Sequence, residues 1–280
     1  MLATLVKKHS TAAFFVLTYL ITWAFWIPFA IFAPSQSELA SNPDLRTSPV
    51  MLTFLLQSIG NYGPTIAAIL LWTFSGKRAE LKDAFKRVRP HRASLFWYFV
   101  ALLLPIGMQL PGLFVYALLG GNMAGFSIVR VLLLIGPYIF LSGLGEELGW
   151  RGYALTNLQM TKSPFISSLI VGAFWGVWHL PIIYYFSSQS GLLFLVYFVL
   201  YVLFLTATSI IFTWVYNATD KSLLMAVLMH AATTASGNTI LLLVLPSAAG
   251  TWIPYIVNVL SISAVAVLVI ALNRTRMFSR

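Results

Sequence analysis

The chain has 280 residues, of which 59% are hydrophobic and only 9% are charged, and its mean hydropathy is +0.87. A soluble fold cannot bury so much apolar surface behind so few charges, whereas a protein that crosses a membrane several times shows both properties. The net charge of +10 falls mostly in short loops between apolar runs, which is typical of topology signals and not of an aromatic and basic face that binds nucleic acid. Because the chain has no cysteine, disulfides and thiolate metal sites are excluded.

Eight apolar segments are each long enough to cross a bilayer as a helix, which takes about 20 residues. The first segment follows a basic start and is too long for a signal-peptide core, so we predict a retained span. The apolar runs are continuous and do not alternate with polar residues, which favours helices over a β-barrel. The predicted spans are 11–33, 50–75, 94–119, 126–156, 165–186, 191–216, 222–245 and 252–273.

One substantial loop, residues 75–94, separates the second and third spans and carries seven basic residues. Its apolar side chains Leu81, Ala84, Phe85 and Val88 recur at helical spacing, which predicts a short helix at the membrane surface. The charge of this helix favours a role as an orientation signal. A dedicated site for a lipid or a partner protein is the alternative.

The distribution of basic residues predicts the orientation of the chain. If the amino terminus lies inside, fourteen of the seventeen lysines and arginines face the cytoplasm, and the outer loops hold Arg46 with Glu38 and Asp44. This asymmetry satisfies the positive-inside rule with an even number of spans. The sequence therefore predicts an all-α, polytopic transmembrane helical bundle of about eight spans. We expect it to form a single integral-membrane domain, residues 1–280, in the cell membrane with both termini cytoplasmic.

Glycine and proline interrupt three of the predicted spans, at GNYGPTIAA (60–68), LLLPIGMQLPG (102–112) and WHLPII (178–183). In a membrane helix such residues predict kinks or close helix packing, and neighbouring helices bond the backbone groups that a kink frees. Such breaks occur in many polytopic proteins, so they do not by themselves locate a functional site.

Few ionisable residues lie within the predicted spans. Arg130 is near the outer end of the fourth span, where its side chain can reach the membrane surface, so we predict an anchor. The others are costly in hydrocarbon and are expected to face an interior cavity or one another. They are Glu146, Glu147, Arg151, His179 and His230. At 1.5 Å per residue, Glu146 and both histidines fall near mid-membrane and could meet in a cavity open to the cytoplasm. A purely structural pairing of these groups is the alternative.

Helix periodicity separates the two adjacent glutamates. Glu147 and Arg151 are four residues apart, so they share a face and can form an ion pair. Glu146 is rotated from Glu147 by about 100° and is free to face the histidines. A carboxylate shielded from water suits general-base work on a water molecule, with one imidazole holding that water and the other donating to the oxyanion of an attacked carbonyl. The same residues could hold zinc instead, although the HExxH signature is missing.

Three short motifs in the second half of the chain follow the order of those in a known family. The first is GEELGWRG, which has the form EExxxR. The second is AFWGVWHLP, in which Trp175 stands four residues before His179. The third is MHAATT, which begins the pattern HxxxN at His230. Together they resemble the CPBP family, also called the Abi or CAAX protease family, which includes the Ras-converting CAAX endopeptidase. The predicted motif-bearing core is about 126–245.

Two positions depart from the pattern of that family. Trp175 stands where the family often has Phe, which is a mild change. Thr234 stands where the third motif usually has Asn, a residue that helps to bind the oxyanion in characterised members. A threonine hydroxyl can still donate a hydrogen bond, but it is shorter than a carboxamide and is oriented differently.

The resemblance implies an intramembrane endopeptidase that hydrolyses a peptide bond with a glutamate-activated water in a cytoplasm-facing cavity. By this resemblance Glu146 is the general base and His179 positions the water. His230 and Thr234 would polarise the carbonyl that is cleaved. The residues expected to hold the site together are Glu147, Arg151 and Trp175.

The resemblance also bears on cofactors and partners. We expect a metal-free mechanism with no cofactor, because the third motif supplies an electrophile and no obvious further ligand, and a divalent metal such as zinc is the alternative. The expected partners are the lipid bilayer and a peptide or membrane-protein substrate, which in one version is prenylated. Two other functions stay open. One is an inactive protein of the same fold that acts in bacteriocin immunity or as a scaffold, and the other is a proton-coupled transporter.

Overall fold

The computed structural model describes residues 10–34, 48–90, 93–187 and 189–278. In this part of the chain all regular structure is helical and no strand is present. It contains six helices that are long and apolar enough to cross a membrane, or up to eight spans if each of two bent helix pairs counts as one. The prediction of an all-α, polytopic transmembrane bundle of about eight spans is confirmed, and the protein is a multi-pass integral membrane protein.

The helices follow the predicted spans closely. The first five are α1 Ser10–Phe32, α2 Ser48–Asn61, α3 Gly63–Phe74, α4 Arg78–Arg87 and α5 Leu95–Leu118. The next six are α6 Ile128–Leu158, α7 Pro164–Trp178, α8 Leu180–Phe186, α9 Gly191–Ala218, α10 Leu223–Val244 and α11 Ile253–Leu272. Short helical turns also occur at Met123–Gly125, Pro246–Ala249 and Arg274–Phe278.

Two of the three stretches rich in glycine and proline break their helix. The pair α2 and α3 is bent at Tyr62, and α7 meets α8 at His179 with an angle of 49°. The third stretch, 102–112, stays within α5, which is one continuous helix despite Pro105 and Pro111. The prediction of a kink is therefore met at two stretches, and the third is accommodated within its helix.

Helix α1 bonds backbone carbonyls next to the bend between α2 and α3. Pro64 has no N–H to offer to the carbonyl of Gly60, four residues earlier. Thr22 of α1 donates its hydroxyl to this Gly60 carbonyl at 2.9 Å. One turn along α1, the indole N–H of Trp26 donates to the carbonyl of Gln57 at 3.0 Å. A bend in hydrocarbon is tolerated because a neighbouring helix bonds the groups that it frees.

The centre of the bundle is formed by α10 and by the second half of α6, from Ser142 onward. Helix α10 packs along α6 on one side and along α5 on the other. The bundle continues from α5 to α11, from α11 to α9 and from α9 to α7, which also contacts α6. Helices α1 and α3 pack together, and α3 lies against α6. Polar side chains on the inner faces of α6, α7 and α10 therefore meet inside the protein, away from lipid.

The basic loop contains the short helix that its apolar spacing predicts, α4, Arg78–Arg87. Ala84, a residue of this helix, is buried. Arg87 forms an ion pair with Asp83, with 2.9 Å between Nε and Oδ2. The Nη1 group of Arg87 also donates to the hydroxyl of Tyr216 on α9 at 2.5 Å. The contact with Tyr216 joins the charged helix to the end of α9.

Arg130, the predicted anchor, is exposed in the first turn of α6, where its backbone N–H donates to the hydroxyl of Ser127 at 3.2 Å. Other charged residues that enter the orientation prediction lie outside the described residues, namely Lys7, Lys8, Glu38, Asp44, Arg46, Arg92 and Arg280.

Candidate active site

The fourth span is wound unevenly around its two glutamates. It turns from α-helical to π-helical winding over Ile139–Gly143, returns to α-helical winding over Leu144–Glu147, and is π-helical again over Leu148–Leu155. The backbone N–H of Leu144 accordingly donates to the carbonyl of Ile139, five residues earlier. Each wide turn holds an extra residue, and single π turns recur at functional sites. The geometry of a regular α-helix therefore does not fully predict the directions of these two glutamate side chains.

Glu147 and Arg151 form the ion pair that their spacing predicts. Nη1 of Arg151 lies 2.9 Å from Oε1 of Glu147, and both side chains are fully buried. The guanidinium also lies over the rings of Trp175 and Phe212, 4.7 and 4.5 Å from their centroids. A cation between two aromatic faces gains quadrupole attraction that replaces part of its lost hydration. The pair therefore compensates one of the two negative charges in the protein interior.

His230 on α10 contacts both glutamates. Its Nδ1 lies 2.6 Å from Oε1 of Glu147, and its Nε2 lies 3.4 Å from Oε1 of Glu146. Helix periodicity alone assigns Glu147 to Arg151 and only Glu146 to the histidines. In the structure the division is less complete, because Glu147 bonds both Arg151 and His230. The imidazole thereby connects the charge-compensated carboxylate to the other one.

The remaining oxygen of Glu146 is held by two indole groups. Its Oε2 accepts from Nε1 of Trp175 at 2.8 Å and from Nε1 of Trp150 at 3.3 Å. Indole N–H groups are neutral and only donate, so they orient the carboxylate without neutralising its charge. Sequence reasoning missed Trp150. The available signal was its position four residues after Glu146, on the same side of the helix.

His179 lies at the junction between α7 and α8, where the chain turns. Its Nδ1 lies 2.8 Å from the carbonyl oxygen of Trp175. A carbonyl can only accept, so Nδ1 carries the proton, and the neutral ring keeps an acceptor lone pair on Nε2. This tautomer can accept a hydrogen bond from a water molecule.

Thr234 lies one helical turn beyond His230 on α10. Its hydroxyl accepts a hydrogen bond from the hydroxyl of Ser142 at 3.2 Å, and Ser142 is itself buried. Ser142 has one proton and also lies 3.2 Å from the carbonyl oxygen of Tyr138. When this proton goes to Thr234, the Thr234 hydroxyl keeps its own proton for a further partner. Ser142 was not predicted from the sequence, although it stands four residues before Glu146, just as Trp150 stands four after it.

A cavity of about 250 Å³ lies where these helices meet. At about 30 Å³ per water molecule, it has room for several waters or for a short part of an extended peptide. The predicted site residues that line it are Glu146, Trp175, His179, His230 and Thr234. Glu147 and Arg151 lie behind this wall, which suits supporting roles. Asn61 and Gln109, from outside the motifs, also line the cavity.

The donor groups of the site bear on whether it could hold a metal ion. Within the described ranges, no group of three or more His, Asp or Glu side chains is arranged to hold a metal ion. Both ring nitrogens of His230 face carboxylate oxygens, and Glu147 is shared with Arg151. Glu147, Arg151 and His230 are therefore held against one another, while Oε2 of Glu147 and both Nε and Nη2 of Arg151 are buried without a hydrogen-bond partner among the residues that the structure describes.

Comparison with known proteins identifies the same part of the chain. The family described as type II CAAX prenyl endopeptidase Rce1-like matches residues 128–236, a range that contains all seven predicted site residues. The chain is also 26% identical over 233 residues to the CAAX prenyl protease 2 of Methanococcus maripaludis, a match that covers 80% of this chain and 82% of that protein. These matches support a peptide hydrolase function. Residues 128–236, which carry the three motifs, are therefore similar to the Rce1-like family.

Proposed function

We propose that this protein is an intramembrane endopeptidase in which Glu146 activates a water molecule for attack on a peptide carbonyl. One observation carries the proposal. Glu146 is a buried carboxylate on the wall of a cavity, held by two indole donors and facing the imidazole of His230. A carboxylate that is fixed in this way on a cavity wall is placed to accept a proton from a water molecule held against it.

In the proposed reaction Glu146 takes a proton from the water as its oxygen bonds to the carbonyl carbon. His179, with its acceptor nitrogen free, would orient that water. The C–N bond of the tetrahedral intermediate then breaks, and the proton held by Glu146 passes to the departing amine. The products are a carboxylic acid and an amine, so no further reactant is required.

His230 and Thr234 are the proposed donors to the carbonyl oxygen. The 3.4 Å between Nε2 of His230 and Oε1 of Glu146 exceeds the usual 2.7–2.9 Å of a charge-assisted hydrogen bond. With Nδ1 donating to Glu147, the ring has an N–H at Nε2 only in its doubly protonated form, and in that form this N–H is available to a substrate oxygen. Thr234 would add a hydroxyl donor in place of the usual asparagine, with Ser142 donating to it. Donors that are fixed before the reaction stabilise the oxyanion at little cost in reorganisation.

We propose that the mechanism needs no metal. The support is that Glu147 already contacts both His230 and Arg151, so a metal ion held by His230 or Glu147 would have to displace an existing contact. Prolonged treatment with a metal chelator tests this proposal.

We further propose that the cavity opens toward the cytoplasm and that the substrate is a peptide segment at the membrane. The distribution of basic residues supports this orientation. The relative is named as a CAAX prenyl protease, so a carboxy-terminal peptide with a prenylated cysteine is the first substrate to examine. The same peptide without the prenyl group shows whether the lipid is required.

The test compares the wild type with Glu146→Gln in lipid nanodiscs, with cleavage of a peptide panel measured by mass spectrometry. The amide is isosteric and still accepts from the indoles, but it is a far weaker base. We expect kcat to fall about 10²–10⁴-fold, as for loss of a general base, with thermal stability close to that of the wild type. Cleavage at the wild-type rate by Glu146→Gln would rule out the proposed base.

A further inference from the structure

Helix α6 receives three hydrogen bonds from one neighbouring span immediately before its glutamates. The donors belong to the end of α2, to the bend and to the start of α3, and each acceptor is a backbone carbonyl of α6. The bonds run from Asn61 Nδ2 to the Leu141 carbonyl at 2.9 Å, from the Tyr62 hydroxyl to the Phe140 carbonyl at 2.5 Å, and from the Thr65 hydroxyl to the Leu144 carbonyl at 2.9 Å. We call Asn61, Tyr62 and Thr65 the carbonyl clamp.

The clamp acts on the wide turn of α6. Over Ile139–Gly143 the winding is π-helical, and the N–H of Leu144 bonds Ile139 in place of Phe140. Carbonyls in a wide turn lose the alignment of a regular helix, and in hydrocarbon no bulk water can replace their bonds. Tyr62 and Asn61 supply bonds to two carbonyls within this turn, and Thr65 bonds the carbonyl of Leu144, the first residue after it. The clamp therefore favours the π-helical form of this turn.

The same neighbour also fixes how closely the backbones approach. A Cβ atom added to Gly145 would lie 2.9 Å from the carbonyl oxygen of Asn61. This distance is too short for a real contact, so the segment that carries the glutamates lies directly against the bend in the second span. The three clamp bonds and this backbone contact hold the segment at four neighbouring residues.

We propose that Asn61, Tyr62 and Thr65 are positioning residues that set the rotation of Glu146 toward the cavity. Without the extra residue of the π turn, the segment Leu144–Glu147 would rotate by about 100° about the helix axis. That rotation would move Glu146 away from Trp175. The clamp residues carry no charge and belong to none of the three motifs. The catalytic part of this proposal rests on the proposed function.

Two isosteric substitutions test the clamp. Thr65→Val removes a clamp bond, whereas Thr22→Val removes an interhelical threonine-to-carbonyl bond of the same 2.9 Å length that ends on Gly60. We expect Thr65→Val to lower kcat about tenfold or more with KM within twofold, because a small misplacement of a reacting group slows chemistry strongly. Thr65→Ser restores the hydroxyl and should restore kcat. Thr22→Val should stay within twofold of the wild type.

A second measurement is independent of catalysis. The indole N–H of Trp175 donates to Glu146, so its resonance in protein labelled with ¹⁵N-tryptophan reports the position of the carboxylate. We expect this resonance to shift in Thr65→Val and to remain in place in Thr22→Val and Thr65→Ser.

The outcomes separate the two proposals. An unmoved Trp175 resonance in Thr65→Val overturns the clamp, whatever the activity. Equal kcat in Thr65→Val and wild type also overturns it, provided that Glu146→Gln is inactive. If the wild type cleaves no peptide while the resonance shifts as expected, the proposed function fails and the positional effect of the clamp stands.

Discussion

Replacement of Arg151 by Met should weaken the fold through the buried charge that it leaves behind. Arg151 and Glu147 are both fully buried and lie 2.9 Å apart. Removing one partner of a buried ion pair usually costs about 3–5 kcal/mol. The contact between Glu147 and His230 at 2.6 Å remains, and Met still packs against the rings of Trp175 and Phe212. We therefore expect a loss at the lower end, about 3 kcal/mol in the free energy of unfolding.

The measurement is reversible unfolding in mixed micelles, followed by tryptophan fluorescence, for Arg151→Met, Glu147→Gln and the double variant. Each single variant leaves one buried group without its partner, whereas the double variant removes both charges. The two losses should therefore fall short of additivity, with a coupling energy of about 1–3 kcal/mol.

The pair between Arg87 and Asp83 provides the control. It has the same spacing of four residues and the same 2.9 Å length, but Asp83 is 62% exposed. Asp83→Asn should change the free energy of unfolding by less than about 1 kcal/mol. If Arg151→Met were no more destabilising than Asp83→Asn, or showed no coupling to Glu147→Gln, burial would not explain the contribution of the inner pair to the free energy of unfolding.

Two further predictions concern the chemistry of the cavity. Thr234→Val should lower kcat about 10²-fold through loss of an oxyanion donor, whereas Thr234→Asn should retain activity. Single-turnover assays of the two variants measure this difference. Similar kcat values for both would exclude Thr234 as a donor. Prolonged treatment with a metal chelator should leave kcat within twofold, because His230 and Glu147 already contact other protein groups. A loss of activity that zinc restores would contradict the metal-free proposal.

The membrane architecture is largely readable from the sequence. Hydrocarbon imposes a length of about 20 apolar residues on every span, so the ends of the apolar runs define the helices to within a few residues. The helix in the basic loop is equally local, since its apolar spacing follows the helical period. The breaks at Tyr62 and His179 follow from nearby glycine and proline, but Pro105 and Pro111 show that such residues do not always break a helix.

For the candidate site, the sequence predicts which residues take part but not all of their contacts. The sequence alone indicates Glu146, Glu147, Arg151 and the two histidines, because charged and polar groups in hydrocarbon must find partners. The spacing of four residues also predicts the ion pair between Glu147 and Arg151. These inferences depend on residue type and local periodicity, and both can be read directly from the sequence.

Only the tertiary structure decides which partners each group has. His230 contacts both glutamates, two indoles hold Glu146, and Ser142 bonds Thr234, and each of these contacts except that of Trp150 joins different helices. The wide turns of α6 change the direction of the glutamates relative to a regular helix, and a carbonyl freed by such a turn leaves no mark in the sequence. The physical reason is that rotation about a helix axis is set by its neighbours, so the carbonyl clamp can be seen only after the helices are packed.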